Sequence, residues 1–400
     1  MRRREIIKMC SLLGISLPFQ SVIASCVGNC DTKSSSFSGS VLIVGAGAAG
    51  MASGYLLAQR GVDFEILEAS SIYGGRMKRT TSFADFPIPL GAEWLHVSEH
   101  ELTNIVNKTP AKITTQLQGY AGKEKIGYFE NDVLSYSSLS TAFGSRFPDK
   151  KFINSTWFDF FEEYLTPSIQ SNMRLNTQIV SIDYQGNNVV VTDSNGVIYE
   201  ADKVIVTVPL KILQNEVVNF KPALSHSKLN AIKGAPIWGG IKVFLEFTEK
   251  FYPTYLAFSD SETQTGQRAY FDASYAQNTS KNILGLFAVG LQAKQYQKKS
   301  VNDQLDFILN ELDNIFDNRA SKTYVKHIVQ NWDDEPFIQS AYLADVASSS
   351  ISSTLSDSVD GKLYFAGDSY TQEDDWGGVH NAARSARFAI DEILLTKMTP

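Results

Sequence analysis

The stretch "SVLIVGAGAAG" at residues 40–50, with the residues just after it, restricts the possible folds of this chain more than any other segment. An apolar run, Val41 to Val44, ends in glycines, and "AAGMASGYLLAQRG" then has helical composition and closes on Gly61. "VDFEILEA" reads as a second strand, so a β–α–β unit of about thirty residues opens the body of the chain. Gly45, Gly47 and Gly50 form G-x-G-x-x-G between strand and helix, with Ala46 and Ala49 completing the loop. Gly45 permits the tight turn, Gly47 lets a pyrophosphate approach the backbone, and Gly50 lets the helix pack on the strand. The phosphates would then sit at a helix N-terminus, where free N–H groups and the dipole favour anions. Glu68 ends the second strand beside Ala69, where a carboxylate can accept both ribose hydroxyls. A bare glycine pattern is weak, but this one has its full context, and it predicts dinucleotide binding.

A chain of 400 residues is too long for one simple core, so two domains are expected. The net charge of −7 comes with scattered basic side chains, which excludes a nucleic-acid-binding stripe. The three cysteines are Cys10, Cys26 and Cys30. From residue 31 onward the sequence therefore offers no disulfide, no cysteine metal site and no cysteinyl link to a cofactor. Residues 1–26 read as an export signal: Arg2, Arg3 and Arg4, then an apolar stretch ending in small residues before Cys26. The arginines followed by "EIIK" resemble a twin-arginine signal, and "VIASC" resembles a lipoprotein box with Cys26 as the acylated residue. Residues 27–39, with the Ser-rich "DTKSSSFSGS", read as a flexible tether. The expected location is periplasmic or membrane-anchored, with a cytoplasmic chain as the alternative, and any membrane contact runs through lipid on Cys26.

Further along, "STWFDFFEEYL" predicts a helix, and "RLNTQIVSIDYQGNNVVVTDSNGVIYEADKVIVTVP" predicts short strands joined by Gly-Asn and Asn-Gly turns. Leu305, Ile308, Leu309, Leu312, Ile315 and Phe316 mark one face of a helix. "ASSSISS" reads as a loop, "GKLYFAGD" as a late buried strand, and "VHNAARSARFAIDEIL" as a terminal helix. Within "PIWGGIKVFLEF", strand alternation puts Ile241, Val243, Leu245 and Phe247 on one face and Lys242, Phe244 and Glu246 on the other. Taken alone, that pattern makes Lys242 a solvent-facing residue, because lysine is almost never buried unpaired.

Gly74, Gly75 and Arg76 follow Glu68 closely and offer a backbone approach and a fixed cation for a pyrophosphate, an addition typical of flavoproteins. Here the sequence resembles the flavin-containing amine oxidases, the family of polyamine and monoamine oxidases. The resemblance runs along nearly the whole chain after residue 40, through "VLIVGAGAAG", "ILEASSIYGGRM", "PLGAEWLH", "VIVTVPLKILQN", "GGIKVFLEF", "QNWDDEPFIQSAY", "LYFAGD" and "GGVHNAA" in that order. It implies an α/β fold in which a Rossmann-like FAD-binding domain (40–90, 172–214 and 355–396) is interrupted by a mixed α+β substrate domain (91–171 and 215–354). It also places Ile179 against the adenine, Trp332 beside the flavin, and Leu90, Gly91, Ala92 and Glu93 around the isoalloxazine. Gly367 and Asp368 of "FAGD" would meet the ribityl chain. Gly378, Val379 and Ala382 would open the last helix toward the flavin N1–C2 edge, where a helix N-terminus stabilises developing negative charge. With no cysteine in the body, the FAD is expected to be non-covalent.

The reaction the resemblance implies is hydride removal from a carbon next to an amine nitrogen onto flavin N5, with oxygen giving hydrogen peroxide. The amine must be neutral, and a dry aromatic pocket disfavours its ammonium form. Lys242 matches the family lysine near N5 that holds a water, and His96 matches a substrate-facing histidine. "HVSEH" also satisfies H-x-x-E-H, a zinc-protease pattern, but the flavin motifs around it argue against a metal. Tyr342 matches one of the two aromatic walls that flank the substrate amine in the family, and Trp94 is a further substrate-side residue. The second wall is missing, because Gly378 replaces the family aromatic and Asn381 a glycine; Trp376 lies two residues upstream and can reach the gap. Glu373, Asp374 and Asp375 read as a solvated loop or as an attraction for a polycationic amine. Two alternatives remain: an amino-acid oxidase or desaturase-like enzyme of the same fold, and a flavin-binding surface protein without turnover.

Overall fold

The computed structural model describes residues 37–395 except 108–111, 145–148, 298–299 and 373–374. The expected export signal, the lipid-bearing Cys26, and Glu373 and Asp374 lie outside the described residues. Phe37, at the end of the expected tether, is already buried in the core, since an aromatic ring there gains more from packing than from solvent.

The strands Ser40–Val44 and Asp63–Leu67 flank the helix Ala48–Gln59 as the glycine pattern predicts. They form the centre of a five-stranded sheet in the order Met173–Arg174, Asp63–Leu67, Ser40–Val44, Lys203–Val206, Leu363–Phe365. All four pairings are parallel, so each connection must cross over, and the longest crossings hold the rest of the protein. The chain is thus an α/β Rossmann-like domain interrupted by a mixed α+β domain. Alternation sends Val41, Ile43 and Ile205 to a core shared with the helix Ala48–Gln59 and the terminal helix Gly378–Leu395. Leu42, Val44, Val204 and Val206 face a second core on the other side. A four-stranded sheet covers that side in the order Ile198–Ala201, Val189–Asp193, Ile179–Asp183, Asn219–Lys221. Its last strand pairs in parallel with Ile179–Asp183, so the nucleotide side draws on residues beyond the expected boundary at 214.

The interrupting domain is built on a mainly antiparallel sheet whose long strand, Gly240–Phe247, lies between Tyr324–Asn331 and Asn282–Gly290. The predicted alternation is kept: Ile241, Val243, Leu245 and Phe247 pack toward the helix Val301–Ile315, and Phe244 faces an aromatic cluster with Trp94 and Phe271. Both faces are covered, and Lys242 is only 3% exposed. The solvent-facing reading of Lys242 is therefore overturned.

"ASSSISS" is not a loop. Ser349–Ser356 is helical despite its weak propensity, because tertiary contacts replace intrinsic preference. Leu355 is fully buried, the Ser352 hydroxyl donates to the Ser369 carbonyl at 3.0 Å, and the buried Lys228 donates to the Leu355 carbonyl at 2.8 Å.

Candidate active site

One cavity of about 1530 Å³ runs from the glycine loop to Lys242 and Tyr342. It exceeds the ~300–1,000 Å³ of an ordinary small-ligand pocket, leaving room for a dinucleotide and a substrate together. At one end, Gly45 turns the chain with φ +107°, and Gly50 has no room for a side chain because the Gly45 carbonyl would lie 1.9 Å from its Cβ. Gly47 is the opposite case: a Cβ there would meet nothing within 4 Å, so the space above the helix start is open. Glu68 is held rigid, its two oxygens accepting from the Ala46 N–H at 2.6 Å and the Ser70 N–H at 2.8 Å. Burial raises its pKa, and these two donors oppose the rise. An open helix N-terminus beside a fixed carboxylate fits the phosphates and ribose of a dinucleotide.

Ala69, Gly75, Ile179, Gly367, Val379 and Ala382 all lie on the cavity wall with Gly45, Gly47 and Ala49. Ala46, Gly50 and Leu90 stand behind it. Ala46 ties the loop to Glu68 and Gly74, Gly50 seats the helix, and the Leu90 side chain packs into the aromatic core while its carbonyl accepts from Trp332 Nε1 at 3.3 Å. Arg76 is not a free cation. Its guanidinium grips Asp368 with both nitrogens, at 2.5 and 3.0 Å, and also donates to the Ala341 carbonyl. Such a bidentate pair fixes both side chains against the cavity.

At the far end the backbone carbonyls of Pro89 and Gly91 and the Glu93 carboxylate surround Lys242 Nζ at 3.1, 2.9 and 2.7 Å. Three acceptors match the three N–H bonds of an ammonium, so a water held by Lys242 must displace one of them. Burial lowers the Lys242 pKa, while the Glu93 charge pulls it back up. Burial would raise the Glu93 pKa, but the charges of Lys242 and Lys151 prevail and hold it low. Gly91, Ala92, Glu93, Trp94 and Trp332 line this part of the wall. The Trp94 ring meets Phe271 edge-on at 4.9 Å, and its Nε1 donates to the Tyr120 hydroxyl at 2.9 Å.

His96 also lines the cavity, with Nδ1 2.9 Å from the buried Asp149 carboxylate, while Glu99 and His100 of the same motif are exposed. Burial alone would lower the His96 pKa, but Asp149 outweighs it and raises it. Tyr342 reaches Gln267 through its hydroxyl at 3.4 Å, and Gln267 Nε2 donates to Asp345 at 2.6 Å. Trp376 lines the cavity and packs against the second core of the parallel sheet. At Gly378 the wall carries no side chain, and the His380 ring stands beside it.

Sequence reasoning missed Lys151, Asp149, Gln267 and Asp345. Lys151 and Asp149 have no motif of their own. They arrive because the strand Lys150–Phe152 pairs with Trp94–Leu95, setting Lys151 opposite Trp94. Asp345 carried a readable signal, an acid three residues after the expected wall Tyr342.

The comparisons with known proteins agree with this geometry. A family model described as "NAD(P)-binding Rossmann-like domain" matches residues 43–109, and one described as "Flavin containing amine oxidoreductase" matches residues 133–394. Lysine-specific histone demethylase 1B of Mus musculus is 27% identical over 82% of this chain and 50% of its own length, so this chain spans about half of that relative. Polyamine oxidase 4 of Oryza sativa subsp. japonica is 24% identical over 90% of both chains. Wild-type putrescine oxidase bound to putrescine shares the fold, with a TM-score of 0.71 at 15% identity over 89% of this chain and 99% of the other. The first match holds the glycine loop and Glu68, the second holds Lys242 and the terminal helix, and the chain belongs to the flavin containing amine oxidoreductase family.

Proposed function

We propose that the protein oxidises an amine with FAD, and that its substrates are small diamines or polyamines. The observation that carries this reading is the single cavity joining the glycine loop to Lys242 and Tyr342. When bound, FAD supplies the two-electron acceptor for a hydride from the carbon beside the amine nitrogen, and passes the electrons to oxygen as hydrogen peroxide. The glycine loop and the start of the helix Ala48–Gln59 would hold its pyrophosphate, Glu68 its adenosine ribose, and the Arg76–Asp368 pair its ribityl side. Val379, on the cavity wall at the start of the terminal helix, would offer the helix N-terminus to the isoalloxazine.

Trp94 and Tyr342 line the substrate end and exclude water, which favours the neutral amine that can stabilise an iminium. Asp345, on the same wall as Tyr342, offers a carboxylate for a second ammonium. The cavity arginines among the described residues are Arg76 and Arg79. Both are paired, with Asp368 and with Asp159 at 2.6 Å, which favours an amine over an amino acid as substrate.

Anaerobic mixing of the holoprotein with an amine panel tests the reading. Bleaching of the flavin band by diamines or polyamines, with peroxide on admission of air, is expected; a flavin that no amine reduces overturns it. Acid or urea should release the flavin intact, because no cysteine follows residue 30. We also propose export through residues 1–26 with lipid on Cys26. A Cys26→Ser chain should then leave the membrane fraction, and an unchanged distribution rejects the anchor.

A further inference from the structure

Two lysines share one carboxylate in the interior. Lys151 is 3% exposed, and its Nζ lies 3.1 Å from Glu93 Oε1. It also donates to the Ala273 carbonyl at 2.7 Å and the Asp272 carbonyl at 3.5 Å. The other Glu93 oxygen is taken by Lys242. No other carboxylate pairs with either lysine among the described residues; the Asp272 side chain turns to Lys250 and Asp149 to His96. Lys242 Nζ donates to three acceptors, while Lys151 Nζ donates to two carbonyls and stands within ion-pair distance of Glu93 Oε1, an arrangement that fits two ammonium groups around one carboxylate. The cluster therefore carries one uncompensated positive charge. The Phe271 ring lies 5.4 Å from Lys242 Nζ and 5.7 Å from Lys151 Nζ, with Trp94 and Phe244 also beside Lys242.

Burying an unmatched charge is costly unless something answers it. Lys242 stands on the cavity wall and Lys151 behind it. Packing alone does not call for the second cation, since Glu93 is already neutralised by Lys242. A hydride brings two electrons and one proton, so its acceptor becomes one unit more negative. A positive charge set beside that acceptor in a dry site stabilises the change without reorganisation.

We propose that Lys151 is a positioning residue which, acting through Glu93, gives the reacting end of the cavity a surplus positive charge and so makes bound flavin a better electron acceptor. The inference rests on FAD occupying this cavity, as in the proposed function, but not on any amine being the substrate.

Sulfite titration of the holoprotein tests it, because sulfite adds to electron-poor flavin, bleaches its visible band and needs no amine. Lys151→Met and Lys151→Gln should weaken sulfite binding about tenfold, the order of effect expected from removing one charge behind a partly buried site. Both should also move the flavin midpoint potential to more negative values. Lys151→Arg, which keeps the charge, should restore both. Thermal unfolding and flavin content separate this from misfolding: an Arg variant as impaired as Met in a folded holoprotein overturns the proposal. So do Met and Gln variants whose sulfite affinity and potential match the parent. A parent that binds sulfite with this Lys151 dependence but is reduced by no amine overturns the amine substrate alone, and a chain that takes up no flavin overturns both.

Discussion

The imidazole of His380 stands where a side chain at Gly378 would begin: a Cβ on Gly378 would lie 2.9 Å from His380 Cε1 and 3.0 Å from Nδ1. Gly377 and Gly378 both have positive φ, 78° and 75°, and Asn381 Nδ2 donates to the Gly377 carbonyl at 2.9 Å. The two departures from the family pattern, Gly378 and Asn381, thus belong to one local arrangement. His380 is in turn oriented by Asp375, whose carboxylate is 3.6 Å from Nε2.

Restoring an aromatic at this position should therefore fail. Gly378→Tyr forces a bulky residue to positive φ, at a cost of about 1–2 kcal/mol, and drives its Cβ into His380. We expect a lower unfolding temperature and no gain in amine affinity, and partial recovery in Gly378→Tyr/His380→Ala. A single variant as stable as the parent and tighter for amines would show that His380 does not occupy the wall.

The shared carboxylate predicts an order of stabilities. Lys242→Met leaves Glu93 paired with Lys151, so the loss should be modest, on the order of 1–2 kcal/mol, well below the ~3–5 kcal/mol of a fully broken buried pair. Glu93→Ala leaves two buried ammonium groups without a carboxylate and should reach that larger figure. Urea unfolding of both variants measures the order, and equal losses would remove Lys151 from the account.

How much of this was legible follows from the range over which each feature is encoded. The glycine loop, Glu68 and the two-residue alternation around Lys242 are written within about thirty residues, and each is found where its pattern puts it. Lys242 shows the limit: alternation gave its face correctly but not what covers it, since Glu93 and the carbonyls of Pro89 and Gly91 come from a loop some 150 residues earlier. Arg76 and Asp368, 292 residues apart, are each recognisable alone, but their pairing is not. The helix Ser349–Ser356 was hidden because Lys228 and the segment around Ser369 and Thr371 make it stable, not its own residues.

His96 should titrate above the ordinary histidine range of about 6.5, because Asp149 outweighs its burial. A raised folded-state pKa means that the pair's stabilising effect is complete below the unfolded value and is lost as pH rises through the folded one. The stability difference between the parent and Asp149→Asn should thus be largest just below about pH 6.5, shrink toward alkaline pH, and fall again at acid pH where Asp149, whose own pKa burial raises, takes up a proton. Histidine NMR gives a direct reading: one resonance with an elevated midpoint should drop in Asp149→Asn, and a midpoint unmoved by that change would dissociate the pair.

Asp345 should separate diamines from monoamines. Burial pushes its pKa up to about 6, so it is still mainly ionised at neutral pH, and Gln267 orients it through a 2.6 Å hydrogen bond. No lysine or arginine forms an ion pair with it among the described residues, which leaves the charge for a ligand. A second ammonium placed there gains a charge-assisted hydrogen bond, worth about 1.5–3 kcal/mol. Asp345→Asn should therefore raise KM for a diamine by at least tenfold while changing KM for a monoamine of equal carbon length by less than about twofold. The diamine advantage should also fade in the parent below about pH 6, as Asp345 takes up a proton. Steady-state peroxide assays on the two amines across pH 5–8 measure both effects, and an equal loss for the two substrates would place Asp345 outside substrate recognition.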